Sequence, residues 1–429
     1  MKIKHITIQN FKGFKNESFS FNPNITVLIG DNGSGKTTVL EALSFVLGTF
    51  FLGVDGIPSR SLRQNEKRRV AVSSDNIEVQ LPFSISVEHS LAGQDFSWTR
   101  DTNKKLGGAT TYKDAHELID MARAFTASVS DKNAEPVNLP LIAYYGTGRL
   151  AREKHEKLAY AKQGSRLDGY YIALDPTTCK KRFLGWFKSF EDAKLKFNKK
   201  DDLYRAFTTA ITSMVPGWNE VHFSWEADDM FGQLNDGEWM PFADLSDGFQ
   251  NVIRLTADIA YRAVTLNPHL GENAVLETEG VVLIDELDMH LHPTWQKSVI
   301  ADLKKTFPNI QFIITTHSPF IVQSLRSDEL INLGTQSGGN PFTKSIEEIA
   351  ETYMQVANVQ RSKRFLTMQN LASQYFDLIE QGKTAVDDNQ TFELKERLDK
   401  IELEFNADPV FIALMKAERR SAKRNEPAS

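Results

Sequence analysis

Residues 25–37 constrain this chain more than any other stretch. Ile25-Thr26-Val27-Leu28-Ile29 reads as a continuous apolar run, the pattern of a strand covered on both faces. It leads without a break into Gly30-Asp31-Asn32-Gly33-Ser34-Gly35-Lys36-Thr37, which fits G-x-x-x-x-G-K-[ST] at every fixed position. Glycines at these places let the backbone curl until its amides face phosphate oxygens, and the helix that follows aims its positive end at the same charge. The candidate contacts are therefore Asp31, Asn32, Gly33, Ser34, Gly35, Lys36, Thr37 and Thr38. Lys36 is expected to reach the β- and γ-phosphates of ATP, and Thr37 to set a hydroxyl on Mg²⁺.

Two further apolar runs, Gly280–Ile284 and Ile310–Thr315, alternate with helical spacing, which indicates an α/β chain with a parallel core sheet. The first ends in Asp285-Glu286. A strand buried on both faces delivers such a pair to the carboxyl edge of the sheet, beside a phosphate loop. Asp285 is then expected to support Mg²⁺ and Glu286 to activate the attacking water. Asp288, His290 and His292 lie close by; a turn facing a partner subunit explains them better than a metal site. Arg149 follows the apolar Leu141–Tyr145 run and a glycine turn, and is read as a nucleotide contact.

Leu245-Ser246-Asp247-Gly248-Phe249-Gln250 resembles the L-S-G-G-Q signature of ABC ATPases, departing from it at Asp247 and Phe249. Thr315-Thr316-His317-Ser318-Pro319 resembles the switch-histidine segment of that family, and Ile8-Gln9-Asn10-Phe11-Lys12-Gly13-Phe14 the N-terminal turn of its RecF, SMC and Rad50 branch. The order of phosphate loop, signature, acidic strand and histidine is also that of an ABC head, over about residues 1–335. The resemblance implies a head with a parallel core sheet, an antiparallel β lobe and a helical subdomain; about 50–140 is read as an inserted β/α lobe and about 150–216 as the helical subdomain. It also implies that Ser246 and Gly248 act on the nucleotide of a second copy, that His317 senses the γ-phosphate, and that the unit is a homodimer or a higher even-numbered oligomer. The segment Tyr144–Arg149 stands where the family keeps a glutamine loop, and it has no glutamine.

After a break at Gln336–Pro341 the chain turns all-helical: 345–358, 363–381, 390–405 and 409–422, with 345–425 as the candidate partner-binding region. No sustained heptads separate Lys36 from Ser246, which excludes long coiled-coil arms, and no Asp-x-Asp pair of a Toprim nuclease follows residue 345. The tail segment Asn406–Leu414, with Lys416, Glu418 and Arg419, resembles the ATPase subunits of the Septu antiphage system, also found with some retrons. That resemblance implies a slow ATPase without a nuclease domain of its own, governing a partner HNH nuclease in antiphage defence. The alternatives are a RecF-like DNA-binding repair ATPase and a non-hydrolysing nucleotide sensor.

Charge and cysteine use narrow the field further. Fifty basic residues against 56 acidic leave a formal charge of −6, so the chain is not broadly basic, and nucleic acid is expected to be met through the complex. Three basic clusters, Arg60-Arg63-Lys67-Arg68-Arg69, Arg149-Arg152-Lys154-Lys157 and Lys194-Lys196-Lys199-Lys200, read first as solvated faces, with DNA phosphates as the alternative contact. The single cysteine, Cys179, allows neither an internal disulfide nor a cysteine-based zinc site. No signal peptide and no membrane-spanning run are read, so the expected location is cytoplasmic, with no membrane partner.

Overall fold

In a computed structural model of the chain, residues 1–74, 76–131, 133–150, 165–175, 184–191, 202–334, 339–357, 359, 363–383 and 388–402 are described. The chain rises through β1 (Lys2–Phe11), turns at Lys12-Gly13, and returns along β2 (Phe14–Ser20) into β3 (Ile25–Ile29). A small hairpin, β4 (Arg69–Ser73) and β5 (Asn76–Val79), is followed by the longer pair β6 (Phe83–Leu91) and β7 (Gln94–Thr102), then by β8 (Leu141–Tyr145). A meander of β9 (Trp218–Ser224), β10 (Asp229–Leu234) and β11 (Trp239–Pro241) precedes the core strands β12 (Gly280–Ile284), β13 (Ile310–Thr315) and β14 (Leu330–Asn332).

Five of these strands form the central sheet in the order β14-β3-β13-β12-β8, all parallel. Every residue of β3, β8, β12 and β13 is buried, as continuous apolar runs require. Strand order sets the site: β13 lies between the phosphate-loop strand β3 and the acidic strand β12. All three deliver their carboxyl ends to one edge.

A second, antiparallel sheet runs β2-β1-β6-β7. Gln311 stitches it to the core sheet. Its fully buried amide accepts from Ile3 N at 2.6 Å and donates to Ile3 O at 2.8 Å and Asn22 O at 2.9 Å. Asn267 does the same work at the start of β8, accepting from Leu139 N at 2.8 Å and donating to Leu139 O at 3.0 Å. Buried amides so fully engaged stabilise a joint between elements without leaving an orphaned group.

Although residues 77–89 alternate apolar and polar, β5 and β6 are separate strands, because Pro82 between them has no N–H to continue a ladder. Asn235-Asp236-Gly237 makes the β10–β11 turn, with Gly237 at φ 88°. Phe183, Trp186, Phe187 and Phe190 share one helical spacing; Phe187 is fully buried and packs on Phe207 at 5.1 Å, while Trp186 meets Phe190 at 4.3 Å. Phe183 and the basic groups at 152–157 and 194–200 lie outside the described residues.

The window Lys36–Gly53 has the length and apolarity of a membrane span, yet 78% of it is buried inside the protein. No other described helix is long and apolar enough to cross a membrane.

The chain divides into two compact units, Met1–Met354 and Gln355–Ser429. The first includes a helix at Ile346–Thr352, opened by a Ser345–Glu348 capping box and anchored by Ile349 and Tyr353 in the main core. That helix stops at Thr352, short of the 358 expected from spacing. In the second unit, helices Lys363–Glu380 and Asn389–Glu402 pack through Met368, Leu371, Ala372, Leu394 and Leu398. The helix expected at 409–422, and the Asn406–Leu414 motif with it, lie outside the described residues.

Candidate nucleotide site

The loop after β3 has the backbone its glycines permit. Gly30, Gly33 and Gly35 take φ values of 145°, 85° and 103°. A Cβ on Gly35 would stand 2.4 Å from the Phe14 ring, so the N-terminal turn closes directly on the loop. The helix Lys36–Leu47 starts there with no side-chain cap, leaving its first amides without helical partners. Within the loop the Ser34 hydroxyl is buried and has no hydrogen-bond partner among the described residues. Lys36 folds its ammonium back onto the loop, donating to Gly30 O at 2.7 Å and Asp31 O at 3.0 Å. Burial lowers the Lys36 pKa, and Asp285, Glu286, Asp31 and Asp288 oppose that shift.

The acidic edge meets the loop directly. The Thr37 hydroxyl donates to the Asp285 carboxylate at 2.9 Å, although 248 residues separate them. From β13, the Thr315 hydroxyl donates to Asp285 Oδ1 at 2.6 Å and accepts from Glu286 N at 2.7 Å. Asp285 is 2% exposed. Glu286 sits in the left-handed region at φ 48°. One step on, Asp288 Oδ1 accepts from Thr316 Oγ1 at 2.6 Å and His317 N at 3.2 Å, which ties the acidic turn to the histidine segment. His317 itself is exposed.

Arg149, expected on the nucleotide, is placed behind the acidic pair. The residue is 4% exposed, and its guanidinium donates to Gly146 O at 3.1 Å, Asp285 O at 2.5 Å, Glu286 O at 2.7 Å and Asn251 Oδ1 at 3.0 Å.

Ser246 opens the helix Asp247–Leu266 and is exposed, its side chain making no capping bond. Gly248 is required for a local reason: a Cβ there would lie 2.3 Å from the His290 carbonyl oxygen of the same chain. Phe249, the departure from the family signature, packs its ring on Trp295 at 4.3 Å. Deeper in the same helix, Asp258 accepts from the Tyr145 hydroxyl and from Arg262 Nε, both at 2.7 Å, in a fully enclosed cluster. Thr315 and Asn251 are the site residues that sequence did not single out for a role. Thr315 stood inside a quoted motif, and only its register beside Asp285 gives it a function.

The first basic cluster is divided, with Arg63 and Arg69 exposed and the other three engaged within the chain. Arg60 is paired with Glu66 at 2.6 Å. Lys67 is buried, its ammonium on the carbonyls of Lys104 at 2.7 Å and Gly107 at 2.8 Å. Arg68 donates to Gly13 O.

Comparison with known proteins agrees with this geometry. An AAA domain model matches residues 5–212, and a second, described as an AAA domain, putative AbiEii toxin, Type IV TA system, matches residues 144–323. The retron Vc95 probable ATPase of Vibrio cholerae is 26% identical over 381 residues, covering 77% of this chain and 73% of that one. The retron Ec83 probable ATPase of Escherichia coli is 28% identical over 406 residues, covering 77% and 71%. The Septu protein PtuA of Bacillus thuringiensis is 27% identical over 389 residues, covering 88% and 85%. With a phosphate loop, an acidic strand end and a histidine segment converging on one edge of a parallel sheet, the chain is an ATPase similar to the retron and Septu ATPases, with an order of motifs that resembles the ABC-type ATPases of the RecF, SMC and OLD branch.

Proposed function

We propose that this ATPase closes head to tail with a second copy around two ATP molecules, and that the closed pair governs an HNH nuclease subunit in defence against phage. The contact that carries the catalytic half is the Thr37 hydroxyl on the Asp285 carboxylate at 2.9 Å. A hydroxyl and a carboxylate at the foot of a phosphate loop are hard oxygen donors, the set Mg²⁺ takes. Four carboxylates bear on the single ammonium of Lys36, so the site has negative charge in excess and suits a divalent cation. Thr37 and Asp285 would hold that ion, which when bound neutralises charge on the β- and γ-phosphoryl oxygens.

The chain's own groups do the rest. Amides from Asp31 to Thr38 wrap the phosphates, the orphaned Ser34 hydroxyl gains an acceptor, and Lys36 exchanges two carbonyls for phosphate oxygens. Glu286 takes a proton from the attacking water, and His317 donates to the γ-phosphate. Ser246 and Gly248, at a helix start whose amides have no helical partners, act on the nucleotide of the other copy. ATP favours the closed pair because only there does each γ-phosphate gain its second set of donors.

The defence role rests on similarity to the Septu protein PtuA and to two retron ATPases. The helices Lys363–Glu380 and Asn389–Glu402 are the candidate surface for the nuclease, and the location is cytoplasmic. Of the first basic cluster, Arg60 and Lys67 are engaged inside the protein and Arg63 and Arg69 stay exposed, so direct DNA binding of the RecF kind is the second reading.

The test is phosphate release by the wild type, Lys36→Ala and Glu286→Gln, together with co-purification of an HNH protein encoded beside the gene. Turnover abolished in both variants and an ATP-dependent complex with the nuclease support the proposal. Turnover that survives Glu286→Gln removes the assigned base, and a nuclease that never co-purifies removes the partner.

A further inference from the structure

The acidic pair is held from behind by a side chain that phosphate chemistry does not require. Two nitrogens of Arg149 grip the consecutive carbonyls of Asp285 and Glu286, and a third reaches Asn251 in the signature helix. Asp285 N donates to Tyr145 O at 2.8 Å and Glu286 N to Thr315 Oγ1, so both amides and both carbonyls of the dipeptide are engaged. Glu286 is left-handed at φ 48° and His290 at φ 62°, conformations that side-chain-bearing residues keep only when their surroundings impose them. The turn from Glu286 to His290 is therefore a constrained element.

That turn is also fastened to the signature helix. Asn251 Nδ2 donates to Met289 O at 2.9 Å, and Gly248 lies against His290 O. Asn251 thus accepts from Arg149 with one atom and donates to the turn with the other. A lysine cannot replace this arrangement, because carbonyls and an amide oxygen in different directions call for a rigid fork of donors.

We propose that Arg149 and Asn251 form a positioning relay, through which docking of Ser246 and Gly248 on a second copy's nucleotide sets the geometry of the same chain's Glu286. The relay rests on the composite-site reading above. Each copy's base takes its working position only when its own signature helix is engaged, so neither site runs while the other stands open. Arg149 touches no reacting atom; it acts through the backbone that carries Glu286.

The experiment uses the full chain and four readouts: affinity for a fluorescent ATP analogue, kcat, the Hill coefficient for ATP, and ATP-driven association by light scattering in a Glu286→Gln background. The wild type is expected to show a Hill coefficient above one. Arg149→Lys is expected to lower kcat by about tenfold or more while analogue affinity stays within about threefold, the signature of an interaction felt in the transition state alone. Asn251→Leu is expected to lower kcat and to bring the Hill coefficient to one, with association retained. Asn251→Asp is isosteric and keeps an acceptor for Arg149 while losing the donor to Met289 O, so it falls between the two and covers the case in which the leucine variant fails to fold. Wild-type turnover and cooperativity in the asparagine variants overturn the relay, as does an affinity that falls in step with kcat. If the Glu286→Gln parent does not associate with ATP, it is the composite site that fails, and the coupling with it.

Discussion

Replacing Thr315 with valine tests how the catalytic edge is assembled. The hydroxyl is fully buried, donates to Asp285 Oδ1 at 2.6 Å and accepts from Glu286 N at 2.7 Å. Valine keeps the shape and removes both bonds. A hydrogen bond to a carboxylate contributes about 1.5–3 kcal/mol, and a stranded amide costs about 1–3 kcal/mol more. The two terms are coupled through one atom, so about 3–4 kcal/mol is the expected total rather than their full sum. If about 1.4–2.7 kcal/mol of it is felt in the transition state, kcat falls about 10–100-fold. Urea unfolding followed by tryptophan fluorescence reads the stability term, and steady-state phosphate release reads the rate. Thr315→Ser keeps both bonds and is expected to stay close to the wild type in each. A valine variant with wild-type midpoint and wild-type kcat refutes the assignment, and so does a serine variant as damaged as the valine.

Three further substitutions probe the scaffold. Gln311→Leu strands Ile3 N and two carbonyls at the joint between sheets and is expected to lower stability by about 2–4 kcal/mol in urea unfolding; an unchanged midpoint would deny the joint its role. Asp258→Ala leaves the enclosed Arg262 without its counter-charge and removes the acceptor of Tyr145, with about 3–5 kcal/mol expected, whereas Asp258→Leu with Arg262→Met is expected to recover most of it. His89, packed on Trp98 at 4.5 Å, has its pKa lowered by burial to about 3 from 6.5. The unfolded chain binds the proton first, so the stability contributed by neutral His89 is complete above pH 6.5 and declines as pH falls toward 3. At pH 5 the loss is about 2 kcal/mol. His89→Phe is expected to flatten that part of the pH profile; an unaltered profile places the titration elsewhere.

Much of the head was legible because its signals are local. A buried strand, a glycine loop and a helix start are consecutive in residues 25–47, and the acids come directly after β12. Periodicity fixes such elements one at a time and carries no strand order, so nothing in the residues alone put β13 between β3 and β12. The short β14 carries too few residues to show a period. The same limit hid the roles of Thr315 and Gln311, whose partners lie up to 308 residues away. Arg149 shows the reverse case. Its position after a core strand and a glycine turn is equally compatible with a phosphate contact and with a brace, and only the direction of the side chain separates them. Gly248 was expected for its approach to a ligand, and it proves to be demanded already by the His290 carbonyl of its own chain.

The central claim is that the nucleotide site is completed by a second copy. Light scattering of Glu286→Gln with and without ATP and Mg²⁺, alongside the same protein carrying Ser246→Arg, tests it most directly. The account predicts that ATP doubles the mass of Glu286→Gln, or raises it by a higher even multiple, and that Ser246→Arg abolishes the change while leaving ATP affinity in place. A mass that ignores ATP, or an association indifferent to Ser246→Arg, would contradict it.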